Sequence, residues 1–141
     1  MKTYIGTKMI NAQPMNRADY NEYRNWNLPE NENGEDEGYL VEYLDGGKAN
    51  DSRHAGYISW SPKAQFDAAY IEVPGAAGLA PHQLRVLAEK AELESRLTKL
   101  QSFFGSSIFA GLGSQERGRL QKQAALMAAY SEVLGERIAA F

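Results

Sequence analysis

From Pro81 to Phe141 apolar residues recur at seven-residue intervals, with one interruption, and no other feature limits the fold of this chain so strongly. Val86, Leu93 and Leu100 repeat in the first segment, with Leu97 and Phe104 on the interleaved positions. Leu120, Met127 and Leu134 repeat in the second, with Ala124 and Ile138 between them. Spacings of three and four place such side chains on one stripe of a helix. Pro81 suits a first turn, where its missing N–H costs nothing, so the first helix is predicted over residues 81–104. Ser114, whose hydroxyl can cap a free backbone N–H, is predicted to open a second helix reaching about residue 140. Gly105 and the GLGS run at residues 111–114 break the pattern where a hairpin must turn. Two helices alone bury too little apolar surface to be stable, so the hairpin needs a partner.

The 141 residues suffice for one ordinary domain or two small ones. No run of eighteen apolar residues and no basic-then-apolar start suggests a membrane span or signal peptide. The absence of cysteine excludes a disulfide framework or a thiolate metal site and suits a reducing cytosol. A net charge of −3 argues against non-specific binding to duplex DNA. That charge is unevenly spread: residues 1–70 carry 7 basic and 11 acidic side chains, net −4, and residues 71–141 carry 8 and 7, net +1. An anionic ligand is therefore expected on surfaces contributed by the second half.

Residues 3–13 alternate β-formers and read as a strand interrupted by Gly6 and ended by Pro14. Asn16, with Asp19 three residues later, caps a predicted short helix carrying Tyr20 and Tyr23. The acidic run at residues 30–37 reads as a solvated loop, without the spacing of a calcium-binding loop. Residues 38–47 place Tyr39, Val41 and Tyr43 opposite Leu40, Glu42 and Leu44, and residues 55–62 alternate likewise. A Gly-, Asn- and Asp-rich connection makes these a hairpin with a long loop. Ser61 and Pro62 read as cap and first turn of another helix, with Phe66, Ala69 and Tyr70 on its apolar side. The expectation is an α+β protein: a small antiparallel sheet domain with two short helices (1–70), a Pro/Gly/Ala-rich linker (71–80) and a helical hairpin (81–141) that oligomerises.

Catalytic chemistry has little to build on. His54 and His82 are the only histidines, and neither stands in a metal-ligand spacing. No nucleophile elbow, phosphate loop or dinucleotide fingerprint occurs, so no catalytic residue, metal or cofactor is expected. Binding residues are better represented. Phe103 and Phe104 close the first long helix, while Ser114, Arg117 and Arg119 open the second, where free N–H groups and the positive end of the dipole lie. Aromatic rings for a base and arginines for phosphate suit a nucleotide. Arg85 and Lys90 complete the candidate set. Lys90 falls on the seam, where a basic residue is a cost unless it pairs or faces a ligand. Trp60 and Tyr57 are expected in the core.

Longer motifs carry a family resemblance. The start YIGTK, followed by YNEYR, DEGYLVEY and GYISWSPK, resembles a small N-terminal domain common in tailed-phage genomes. The segments beginning PHQLRV, IFAGL and YSEVLGERI resemble the helical hairpin shared by two groups of phage anti-defence sponges, one blocking Thoeris immunity and one blocking CBASS. The combination is similar to the first type of Thoeris anti-defence protein over nearly the whole chain. The resemblance implies a non-enzymatic phage protein, in the cytoplasm of the infected bacterial host, that binds a cyclic nucleotide immune signal and removes it from solution. That signal would be glycocyclic ADP-ribose, with CBASS cyclic oligonucleotides as a further class. The resemblance also implies a homo-oligomer, a dimer at least and a hexamer in the family, with no DNA or membrane partner. The alternatives are a hydrolase of the same signal, or a module that binds a host defence protein directly.

Overall fold

The computed structural model describes all 141 residues, which separate into two compact units, Met1–Tyr70 and Ile71–Phe141. The fold is α+β: a small antiparallel sheet is followed by long helices.

In the first unit, β1 (Ile10–Pro14), β2 (Gly38–Tyr43) and β3 (Ile58–Pro62) form a sheet in the order β1-β2-β3, with β2 central. Leu40 faces Gln13 on one side and Trp60 on the other. Successive residues of β2 point to opposite faces, and both faces are covered. On one, Leu40 and Ile58 form a core with Tyr20 of α1 (Arg17–Tyr23), flanked by Met15, Tyr23 and Trp60. On the other, Phe66 of α2 (Lys63–Ala69) stacks on Tyr39 at 3.9 Å between ring centres. Gly38 is required where it stands, because a Cβ there would lie 2.4 Å from the Trp60 indole.

Asn16 caps α1 through its side chain, accepting the Asp19 N–H at 2.8 Å. Two other boundaries differ from expectation. The first strand begins at Ile10 rather than residue 3, since β2 ends at Tyr43 opposite Ile10 and leaves earlier residues without a ladder partner. Ser61 does not cap α2: it stays in β3 opposite Tyr39, and Pro62 is the residue before the helix. The acidic run folds back onto α1, with the Gly34 and Asp36 carbonyls accepting the Ala18 and Arg17 N–H groups.

In the second unit, residues 71–80 are irregular, with left-handed turns at Gly75 and Gly78. Then α3 (Pro81–Phe103) and α5 (Ser114–Ala139) pack together, joined by a four-residue helix α4 (Ser107–Ala110) that the sequence reading missed. Gln83 of α3 reaches back to accept the Ala80 N–H at 3.0 Å, completing the start that Pro81 sets. The seam is the seven-residue pattern: Val86, Leu93 and Leu134 are buried together, with Met127 and Ile138 packed against them. Ser114 is the first helical residue of α5 and makes no capping bond; Gly113 precedes it in extended geometry. No helix is long and apolar enough to cross a membrane.

Candidate functional site

At the turn of the hairpin, α4 folds back so that Phe109 is buried against both phenylalanines that close α3. Its ring centre lies 5.8 Å from Phe103, edge-on, and 4.9 Å from Phe104, tilted. Ser106 holds the turn: its Oγ accepts the Phe109 N–H at 3.1 Å and donates to the Phe103 carbonyl at 2.7 Å. Phe103 and Phe104 are thus brought together, through a third ring that the spacing did not reveal. The Ser106 cap and the apolar Ile108–Phe109 pair were the available signal.

Beyond the turn, Arg117 is half-buried and its Nε lies out of solvent with no hydrogen-bond partner. A buried guanidinium N–H without an acceptor is costly unless something else supplies one. Arg119 differs: it is exposed and paired with Glu116 of its own helix, 2.7 Å from Nε to Oε2. Ser114 is exposed.

The remaining candidates lie elsewhere on the hairpin. At about 1.5 Å per residue, Lys90 stands roughly 20 Å and Arg85 roughly 27 Å along α3 from Phe103. Arg85 is exposed. Lys90 meets the seam problem by pairing: it bonds Glu94 of its own helix and donates to Ser131 Oγ of α5 at 3.3 Å. Ser131 Oγ in turn donates to Glu94 Oε1. Lys90, ahead of Ser131, holds the Glu94 carboxyl below its ordinary value. This polar layer lines an open groove of about 580 Å³ with Leu97, Ala128 and Gly135.

The first unit holds a second polar assembly that the sequence did not announce. His54 bridges Tyr23 and Glu42, with Nε2 2.8 Å from the phenol oxygen and Nδ1 3.1 Å from Glu42 Oε2. Glu42 also accepts the Gly56 N–H at 3.0 Å, and that bond, then His54, keeps its carboxyl below the ordinary value. His54 therefore has both nitrogens engaged. Asn50 acts as a short substitute strand: its amide accepts the Ile58 N–H at 2.8 Å and donates to the Ile58 carbonyl at 2.9 Å. Tyr57, expected in the core, is 47% exposed, and Trp60 is half-buried with its Nε1 donating to the Met15 carbonyl. No group of three or more His, Asp or Glu side chains gathers closely enough to hold a metal.

Comparison with known proteins finds one family. Residues 80–140, the whole hairpin, match the Sequestin family. No curated protein and no solved structure matches. The match fits the resemblance to a Thoeris anti-defence sponge, and the family's name points to sequestration of a signal molecule rather than to catalysis.

Proposed function

We propose that this chain, whose hairpin matches Sequestin over residues 80–140, sequesters a cyclic nucleotide immune signal without cleaving it. That match is the observation that carries the reading. The chemistry of the hairpin supports it: aromatic rings gather at the turn, and Arg117 near the start of α5 has an unpartnered Nε, groups that suit a base and a phosphate. The ligand is of the class of glycocyclic ADP-ribose, with cyclic oligonucleotides as a further class, since both present adenine and phosphodiester or pyrophosphate groups. Phe103, Phe104 and Arg117 are the principal contacts, with Ser114 and Arg119 at the rim. Arg85 and Lys90 are too distant to join them within one copy, and serve a second copy's site or none.

The hairpin also favours self-association. Leu126, Tyr130 and Val133 form a second apolar stripe on α5 and are exposed in a single copy. A helix with two apolar stripes has one more face than the hairpin seam can cover. The second stripe is read as the contact between copies.

A hydrolase has one observation in its favour, the Tyr23–His54–Glu42 chain. A binding protein needs affinity for the ground state, whereas equal binding of substrate and transition state does not raise turnover. The deciding experiment loads the protein with the signal, removes free ligand, heats the complex and chromatographs the release. Intact ligand is expected. Linear or hydrolysed product, lost in a His54→Gln variant that still binds the signal, would establish the hydrolase instead.

A further inference from the structure

The first unit contains a cleft of about 500 Å³. Its walls carry Arg17, Arg24, Trp26, Tyr57 and Trp60. The two arginines are in different electrostatic situations. Arg17 lies over the Trp60 ring at 4.7 Å and is neutralised by Glu32, which accepts from Nε at 2.7 Å and pairs again with its terminal nitrogen. Arg24 has only a long ion pair, with Asp51. Its side chain is only 10% exposed, and its hydrogen bonds go to neutral acceptors: Tyr20 Oη at 3.2 Å and the Asn50 carbonyl at 3.3 Å. The nearest carboxylate, Asp51, is 3.9 Å away, and its oxygens are held by Arg53 at 2.7–2.8 Å. Two guanidiniums, Arg24 and Arg53, thus share one carboxylate, and the more buried of them, Arg24, has no close anion of its own.

The surroundings say what kind of anion. Trp26 is 54% exposed although its other contacts are Arg24, 4.4 Å from its ring, and the edge of Tyr20. The residue that turns the chain into Trp26, Asn25, has a left-handed φ of 55°, an uncommon geometry for a residue other than glycine. Tyr57 offers a second exposed ring, and Asn27 offers an amide for the edge of a base. Exposed aromatic faces beside a buried cation accept a planar ring joined to a phosphate. The volume is within the range of small-ligand pockets.

We infer that the cleft between Arg24, Trp26 and Tyr57 is a binding site for a purine nucleoside monophosphate, with the phosphate on Arg24 and the base against the exposed rings. It is separate from the hairpin turn and does not depend on the function proposed for it.

The test uses the chain's own reporters, because its only two tryptophans, Trp26 and Trp60, both line this cleft. Full-length protein is titrated with AMP, adenosine and inorganic phosphate, following tryptophan emission and the heat of binding. AMP is expected to change the emission saturably, with adenosine and phosphate each weaker by about tenfold or more. Arg24→Gln should weaken AMP by roughly 10- to 100-fold, the range for a lost bond to a charged group. Far-UV circular dichroism checks that this variant folds. Tyr57→Ala, at an exposed ring, gives a second test and should also weaken AMP. No saturable change with AMP, adenosine binding as tightly as AMP, or folded Arg24→Gln binding AMP normally would each overturn the assignment. Loss of signal binding at the hairpin in an Arg117 variant should leave the AMP response intact.

Discussion

Ser131 Oγ donates to Glu94 Oε1 at 2.9 Å across the seam of the hairpin, one helix to the other. It stands among apolar neighbours four residues after Met127 and three before Leu134. Ser131 and Lys90 together make the seam polar at one level only, which marks the register of α5 against α3. Ser131→Ala should cost about 1 kcal/mol, the usual net worth of one such bond, in chemical denaturation of the full chain. An unchanged midpoint would mean that Lys90 and Glu94 satisfy each other without it.

Leu134 is fully buried, with 0% exposure. Leu134→Ala should destabilise the hairpin by about 2–5 kcal/mol, the range for opening a cavity in a packed core. Gly135, its neighbour, should behave in the opposite way. A Cβ there would meet Lys90 Cε at 3.5 Å, an ordinary contact, so Gly135→Ala should stabilise by about 0.5–1 kcal/mol through helix propensity. Equilibrium urea unfolding of both variants checks the pair of signs.

Arg117→Met separates binding from folding. Losing an unpartnered buried Nε should leave the thermal midpoint unchanged or slightly higher, while affinity for the cyclic signal falls by about 1.5–3 kcal/mol. Calorimetry showing normal binding would move the site away from the hairpin turn.

Glu42 makes the first unit sensitive to acid. The Gly56 N–H and then His54 hold its folded carboxyl below the ordinary value of 4.5. Its contribution to stability is therefore complete above that unfolded value and is lost as pH falls through the lower folded one. Thermal midpoints measured from neutral pH down to about pH 3 should fall more steeply for the wild type than for Glu42→Gln below the ordinary carboxylate value. Parallel curves would contradict this.

Assembly is tested on the outer stripe of α5. Val133→Asp leaves the inner seam untouched but puts a charge among Leu126 and Tyr130. Light scattering should show smaller particles for this variant than for the wild type. A monomeric wild type would refute the contact.

The hairpin was legible because a seven-residue apolar period has one economical solution, and Val86, Leu93 and Leu134 occupy it. Asn16 likewise acts as the cap its spacing with Asp19 announces. The failures share a physical cause. Ser61 and Ser114 have the chemistry of caps, but a strand ladder claims the first and Gly113 takes the place of the second. Phe109, Asn50 and His54 were invisible because their partners lie across turns or strands, as with Asn50 and Ile58, where no short spacing records the contact. Nothing in the sequence singles out Arg24, which Tyr20, Trp26 and Asn50 enclose only in the fold.

The two apolar clusters have no member in common. The first lies within residues 15–60 and the second within residues 86–138. A genetic crossover between Tyr70 and Ile71, where the compact units divide, interrupts neither. Recombination at that point can therefore reassort the sheet unit and the hairpin as separate heritable pieces. The family match begins at residue 80, as it would if hairpins of this kind circulate with different heads.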